Sequence, residues 1–147
     1  MTKREIVNDI LDYFCFTGVK RKKYGRRLLR LTKQVLFEKY DELLLTRKLH
    51  NIKILQAYYF GILDGDKTFE FRFNDRNYKK GDFVHFKIVL PNGKILPKFD
   101  DCVYEITYIL DCGILFEKMS AYCIFSIKER KDLFFNFDTE KVEKRRS

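Results

Sequence analysis

Apolar residues recur at helical spacing through the first third of the chain, and this pattern predicts a helical hairpin over residues 1–49. The first helix should start at a capping box, in which Thr2 and Glu5 satisfy backbone N–H groups reciprocally. It should end near Gly18, because glycine is favoured just beyond a helix C-terminus. A second apolar stripe predicts a second helix over residues 25–46.

From residue 50 onward the apolar period shortens to two, which is typical of β-strands. Strands are predicted at residues 52–55, 69–73, 83–90, 103–110 and 122–128, with a short helix at residues 57–63. Several short strands with glycine-bearing turns indicate a small β-barrel or sandwich over residues 50–128. The tail, residues 129–147, is charged except for the stretch LFFNF, which we expect to dock on this body. The expected fold class is therefore α+β.

The segment GDKTFEFRFNDR shows a strict alternation of apolar and polar residues. Phe69, Phe71 and Phe73 occupy one face of the predicted strand, and Glu70 and Arg72 occupy the other. We expect the phenylalanines to fill the core of the barrel. The charged row is then expected to face solvent, a cleft or an overlying helix.

The net charge is +9, and the excess is concentrated in the first third of the chain. Residues 1–50 hold 13 Lys and Arg against 6 Asp and Glu, whereas the rest of the chain holds 17 against 15. Seven of the basic residues crowd into one short segment, namely Lys20, Arg21, Lys22, Lys23, Arg26, Arg27 and Arg30. Such a cluster suits a partner with phosphates, although a solvated basic face has the same composition. The apolar residues of the same hairpin also suit a protein interface.

The cysteines and the N-terminus indicate the cellular setting. The sequence has no C-x-x-C pair, and Cys15, Cys102, Cys112 and Cys123 have apolar neighbours, as reduced and buried thiols do. The N-terminal segment carries charges within its apolar pattern, and no run of 18 apolar residues occurs. We therefore expect a cytoplasmic protein with no metal, no cofactor and no membrane partner.

The landmarks of the second half of the chain carry a family resemblance. Gly65, Lys67, Glu70 and Arg72 form the pattern Gly-x-Lys-x-x-Glu-x-Arg. The stretch HNIKIL precedes it, and an Asn-Asp-Arg turn, a Gly-Asp pair and the strands ITYIL and CIFSIK follow in order. With these landmarks, residues 50–128 resemble the ASCH domain of the PUA-like superfamily, and most closely its small bacterial and phage subgroup.

The resemblance implies a PUA-like barrel whose cleft binds RNA or a modified nucleotide. The residues that would meet a phosphate or a base in this cleft are Lys67, Glu70, Arg72, Arg76 and Tyr78. Tyr58 is a second candidate for stacking on a base, and both tyrosines also suit a core or surface position. A structural interpretation stays open beside this one, in which Glu70 pairs with Arg72 or Lys67 and fastens the helix to the barrel.

These observations lead to three hypotheses. The first is a non-catalytic RNA- or nucleic-acid-binding protein that uses the basic hairpin and the cleft. The second, suggested by the subgroup's occurrence in mobile elements, is a phage protein that inhibits a host or defence protein. The third is a hydrolase with Lys67 and Glu70 as catalytic residues, because some ASCH relatives are amidohydrolases acting on acetylated cytidine. Those relatives carry threonine where this chain has Glu70, and Thr68 stands two residues early, so the sequence favours binding over catalysis.

Overall fold

The computed structural model describes residues 1–14 and 16–146, so that Cys15 lies outside the described residues. The chain divides into two compact units, residues 1–47 and residues 48–147. The tail from residue 129 belongs to the second unit. No helix in the described part of the chain is long and apolar enough to cross a membrane.

Three helices build the first unit: α1 (Lys3–Tyr13), α2 (Gly18–Leu29) and α3 (Lys33–Thr46). The predicted capping box starts α1, since the Thr2 hydroxyl accepts from the Glu5 N–H and the Glu5 carboxylate accepts from the Thr2 N–H. Both α2 and α3 pack against α1. The buried apolar residues of this unit are Ile6, Val7, Ile10, Leu11, Leu36, Tyr40 and Leu44.

The prediction of a two-helix hairpin was wrong, because the basic segment forms a helix of its own. Thr32 caps α3, its hydroxyl accepting from the Val35 N–H at 3.3 Å. Gly18, which was expected to end the first helix, opens α2 with a φ of +55°, and Gly25 lies in the middle of α2. The apolar period continues across residues 30–32, so the pattern of apolar residues did not reveal this break.

The second unit is mainly β-structure. Its strands are β1 (Leu49–Leu55), β2 (Phe69–Phe73), β3 (Phe83–Val89), β4 (Ile95–Leu96), β5 (Tyr104–Asp111), β6 (Tyr122–Glu129), β7 (Leu133–Asn136) and β8 (Lys141–Lys144). One helix, α4 (Gln56–Leu63), follows β1, and two short 3-10 turns join β5 to β6. The α+β fold class is confirmed, whereas the hairpin of β7 and β8 was not predicted from the sequence.

Six strands form one sheet in the order β1-β3-β5-β6-β2, with β4 paired to the end of β3. Strands β1 and β3 are parallel, since α4 and β2 provide the crossover between them, and the other pairs are antiparallel. Strands β1 and β2 are the two edges. Within the described residues no strand ladder joins these edges, so the sheet is open there.

Two arginine side chains span the gap between the edge strands. Arg72 Nη1 donates to the Lys53 carbonyl at 2.9 Å, and Arg76 Nη1 donates to the Asn51 carbonyl at 3.1 Å. Because Asn51 and Lys53 lie two residues apart on β1, both carbonyls point to the same side of that strand. The sheet therefore curves until its edges lie within the reach of one arginine side chain.

One face of the curved sheet holds the apolar core of the second unit. The buried residues that meet there are Ile52, Ile54, Tyr59, Ile62, Tyr78, Val84, Phe86, Ile88, Tyr104, Ile106, Cys123, Phe125 and Ile127. Tyr59 and Ile62 bring α4 onto this core. The even-numbered residues of β3 and the odd-numbered residues of β6 alternate into it, as the period of two requires.

The predicted orientation of β2 was wrong. Phe69, Phe71 and Phe73 are 48%, 47% and 54% exposed, whereas Glu70 is only 5% exposed and Arg72 is half-buried. The strand thus turns its charged row inward and its phenylalanines outward. An alternating pattern distinguishes the two faces of a strand but does not show which face is buried. Here Glu70 can be buried because Lys67 and Arg72 neutralise its carboxylate.

Strand β3 is covered on both faces. Its outward-facing His85 stacks on Phe135 of β7, with ring centroids 3.9 Å apart and planes 9° apart. The Phe135 N–H donates to the Asp101 carbonyl at 2.8 Å, and Leu133 and Phe135 are buried. The apolar stretch of the tail therefore packs on the outer side of β3.

A pH-dependent stability follows from His85. Burial lowers the pKa of this ring, which lies 3.1 Å from Asn51 Oδ1 and 3.2 Å from the Asp100 carbonyl. The folded chain binds the proton less readily than the unfolded chain, where histidine has a pKa of about 6.5. The stability that depends on neutral His85 is complete above about pH 6.5 and is lost as the pH falls toward the lowered folded pKa.

Urea unfolding at neutral and at mildly acidic pH measures this effect. The wild type should lose stability on acidification, and His85→Phe, which keeps an aromatic stack on Phe135, should lose less. An equal loss in both proteins would contradict this role of His85.

Candidate functional site

A cleft opens between the edge strands β1 and β2, and the Gly-x-Lys-x-x-Glu-x-Arg segment forms one wall. Its volume is about 360 Å³, which lies within the range of roughly 300–1,000 Å³ found for ligand pockets. The residues that line it are Lys53, Ile54, Leu55, Tyr58, Lys67, Phe69, Glu70, Phe71 and Arg72. Three cations, one carboxylate and three aromatic rings therefore share this cleft.

Two glycines bring Lys67 to the cleft. Gly65 has a φ of +80°, in the left-handed region that glycine adopts without strain. It lies directly after Asp64, the C-cap of α4, and turns the chain away from the helix. The chain then turns until the Lys67 N–H donates to the Gly61 carbonyl at 2.9 Å. A Cβ on Gly61 would lie 3.3 Å from the Lys67 Cβ, so glycine at this position permits the close approach.

Glu70 is the centre of a buried ion network. Its Oε1 accepts from Lys67 Nζ, and its Oε2 accepts from Arg72 Nη1 at 3.2 Å. Arg72 Nη1 also donates to the Lys53 carbonyl. Lys67 Nζ also donates to the Phe69 carbonyl. A carboxylate removed from water needs such partners, so both of the structural pairings considered from the sequence are present at once.

The aromatic rings of the cleft are exposed, and two of them, Phe69 and Phe71, contact neighbouring side chains. Tyr58, Phe69 and Phe71 are 57%, 48% and 47% exposed. Lys67 Nζ lies 5.1 Å from the ring centroid of Phe69, which is a cation–π distance. Phe71 stacks on Tyr122 of β6, with ring centroids 5.2 Å apart and planes 8° apart. The cleft therefore offers ordered aromatic surface beside its cations.

Two residues predicted for the cleft do not line it. Arg76 is exposed and bonds to β1 at the gap between the edge strands. Tyr78 is 4% exposed and lies against His50 and Phe125, with ring centroids 4.6 Å and 4.9 Å away. Burial raises the pKa of Tyr78. The prediction that Tyr78 stacks on a base was wrong, because the turn that Asn74 closes on the Tyr78 N–H directs the ring into the core.

The basic segment lies in the first unit, on α2 and at its C-cap. Along one edge of α2, at spacings of three and four residues, lie Lys20, Lys23, Arg27 and Arg30. Along another edge lie Lys22 and Arg26, and all of these six residues are exposed. Arg21 differs from these residues, because it is half-buried and its Nη1 donates to Asp12 Oδ1 of α1 at 2.6 Å. Arg21 therefore serves the packing of α2 on α1.

Sequence reasoning missed five residues of the cleft, namely Lys53, Ile54, Leu55, Phe69 and Phe71. The alternation of exposed Lys53 and Leu55 with buried isoleucines was visible in β1 and indicated an outward face. It did not indicate what lies opposite that face, because the approach of β1 to β2 depends on the curvature of the whole sheet.

Burial and ion pairing constrain several reactive groups of the second unit. Burial raises the pKa of the Cys102 thiol to about 12 and raises that of Cys123, so both thiols stay protonated near neutral pH. In the described ranges, no three His, Cys, Asp or Glu residues gather where they could hold a metal ion. Lys67 and Glu70, the catalytic pair of the hydrolase hypothesis, bind each other.

Comparison with known protein families finds a match within the second unit. A family model described as "Domain of unknown function (DUF3850)" matches residues 49–127, which is more than half of the chain. The match runs from β1 through most of β6 and includes every residue that lines the cleft. A search of curated proteins found no match.

Replacing Glu70 by Gln should destabilise the protein, because the amide cannot neutralise Lys67 and Arg72. Both cations keep some contact with water, so the loss should be about 2 kcal/mol rather than that of a fully buried pair. The matched control Glu117→Gln changes an exposed carboxylate and should cost less than about 0.5 kcal/mol. Urea unfolding measures both variants, and equally small effects would contradict the structural role of the network.

Proposed function

The chain belongs to the DUF3850 family, and we propose that it binds single-stranded nucleic acid, foremost RNA, without catalysing a reaction. The composition of the cleft carries this proposal, since three cations and three exposed aromatic rings meet in about 360 Å³. Each nucleotide of a single strand offers a phosphate to a cation and a base to an aromatic face. A ligand of this kind satisfies both properties of the cleft.

The side chains of the cleft have separate roles in this proposal. Tyr58 and Phe69 offer ring faces on which a base stacks. Lys53 meets a phosphate. Arg72 uses Nη1 for its bonds to the protein, and no protein group in the described part of the chain bonds its Nη2 or Nε. These donors can therefore reach a phosphate or a base edge, while Glu70 holds the guanidinium in place.

The resemblance to the ASCH domain concerns the fold of the second unit. We propose that the second unit is a PUA-like barrel in which side chains replace one strand ladder. The bonds from Arg72 and Arg76 to carbonyls of β1 support this, because they occupy the gap where a β1–β2 ladder would close the sheet. Such a protein would bind RNA in the cytoplasm.

The basic edge of α2 adds a second, sequence-independent contribution. Residues 1–47 hold 12 Lys and Arg against 6 Asp and Glu. The edge formed by Lys20, Lys23, Arg27 and Arg30 is exposed along the whole helix and suits a phosphate backbone. Contacts of this kind raise affinity and do not read the sequence of the nucleic acid.

The second candidate function is protein binding. In this hypothesis the chain is a phage or mobile-element protein that inhibits a host or defence protein. It is favoured by the link between β5 and β6, where Ile114, Leu115 and Phe116 are 77%, 59% and 64% exposed. Three adjacent apolar side chains in water are unusual unless a partner covers them. The hydrolase hypothesis gains no support, because Lys67 and Glu70 neutralise each other instead of activating Thr68.

The double variant Tyr58→Ala with Lys53→Ala tests the cleft. It removes one stacking ring and one phosphate contact, so binding of a fluorescent 12-nucleotide RNA should weaken by about tenfold or more. Fluorescence anisotropy at low salt gives the affinity. The matched control Tyr108→Ala with Lys128→Ala removes the same residue types from exposed positions on β5 and β6 and should bind almost normally. If neither RNA nor single-stranded DNA binds the wild type, the proposal fails.

The salt dependence of binding tests the basic edge of α2. Replacing Lys23, Arg27 and Arg30 by Ala should reduce the slope of log affinity against log salt by about 2, since each lost phosphate contact contributes about 0.7 for a single strand. The matched control replaces three exposed lysines of the second unit, namely Lys80, Lys94 and Lys118. An equal reduction in both variants would show that the edge has no special role.

A further inference from the structure

A second cavity lies within the first unit, in the groove between α1 and α2, and it shares no residue with the cleft. Its volume is about 480 Å³. Val7 and Leu11 of α1 and Leu29 of α2 form an aliphatic floor. Leu29 is 40% exposed, so part of this floor is open to solvent.

Gly25 lies in the lining of the groove and lets α1 and α2 approach each other closely. A Cβ at this position would lie 3.3 Å from Leu11 Cδ1, so the two helices approach closely there. Leu11 therefore occupies the space beside Gly25, and Leu29, one turn later on α2, supplies the exposed aliphatic surface of the groove. An apolar side chain of a partner that packs on Leu29 would remove this aliphatic surface from water.

The rim of the groove is cationic on both sides. Arg4 stands on the α1 side, Lys22 and Arg26 stand on the α2 side, and all three are exposed. Arg26 Nε donates to the Lys22 carbonyl at 3.4 Å, which keeps the guanidinium along the helix. Among the described residues that line the groove there is no Asp or Glu. The described lining therefore contains no carboxylate that could neutralise Arg4, Lys22 or Arg26. Arg21, which also lines the groove, is paired with Asp12.

The chemistry of this groove differs from that of the cleft, and the difference decides its occupant. The described residues that line the groove include no aromatic ring, so a nucleobase would find no stacking partner there. An amphipathic segment with apolar residues on one face and carboxylates beside them satisfies both the floor and the rim. With 11 residues, α1 is about 16 Å long, which matches about three turns of a partner helix.

We propose that the groove between α1 and α2 binds an acidic amphipathic helix of a partner protein. Apolar residues spaced by three and four positions pack on Val7, Leu11 and Leu29, and carboxylates on both sides of this stripe face the cationic rim. The groove lies outside the matched residues 49–127 and in another unit than the cleft. The proposed site therefore shares no residue with the cleft of the second unit.

The test uses the full chain and a synthetic, fluorescent helical peptide of about 12 residues. The peptide carries leucines spaced by three and four positions and glutamates at the flanking positions, and a scrambled peptide of the same composition is its control. Binding should shift the methyl resonances of Val7, Leu11 and Leu29 in NMR spectra. The methyl resonances of Ile52 and Ile106, in the core of the second unit, should stay unchanged.

Paired charge reversals locate the contact. Arg4→Glu with Arg26→Glu reverses both sides of the rim and should weaken peptide binding by about tenfold. Arg27→Glu with Arg30→Glu makes the same change in net charge on the other edge of α2 and should alter affinity by less than about twofold. Leu29→Glu, at an already exposed position, should also abolish most binding. Urea unfolding verifies that each variant remains folded.

Several outcomes would overturn the proposal. Absence of peptide binding, or equal affinity for the scrambled peptide, would show that the groove has no preference for an amphipathic helix. Equal weakening by both charge reversals would show general attraction to a basic protein. If a 12-nucleotide RNA shifts the same three methyl groups and displaces the peptide, the occupant is a nucleic acid.

Discussion

The buried carboxylate of Glu70 is the constraint on which the second unit depends. A charge so far removed from water is stable only with cations beside it, and the chain supplies Lys67 and Arg72. Lys67 comes from the turn after α4, and Arg72 reaches the Lys53 carbonyl on β1. One carboxylate therefore links the helix and both edge strands of the sheet. It does so through side chains, which leave space for a cleft where a strand ladder would leave none.

The outward position of the phenylalanines follows from the same constraint. Once the charged face of β2 turns inward, Phe69, Phe71 and Phe73 must lie on the other face. Their exposure is moderated by ring contacts, since Tyr122 stacks on Phe71 and meets Phe73 edge to face. The result is a cleft in which aromatic faces and cations lie side by side. The ion network is thus structural in origin, and it also prepares the surface that we propose binds nucleic acid.

The two units present positive charge in two different chemical settings. In the second unit the cations stand among aromatic rings, which suits nucleotides. In the first unit they stand around an aliphatic floor, which suits the apolar face of an acidic helix. Net charge alone did not distinguish these settings, because both contribute to the same +9. The neighbours of each cation, and not its charge, indicate the class of partner.

Local features of the structure could be predicted from the sequence, because they depend on residues close together in the chain. The period of two in the strands, the capping box at Thr2 and the turn at Gly65 are of this kind. The motif that lines the cleft was also visible. The buried face of β2, the core position of Tyr78 and the approach of β1 to β2 were decided only by tertiary structure. An alternating strand has two faces, and which face is buried depends on partners from distant segments of the chain. Here β1 supplies the Lys53 carbonyl that binds Arg72, and His50 and Phe125 surround the ring of Tyr78.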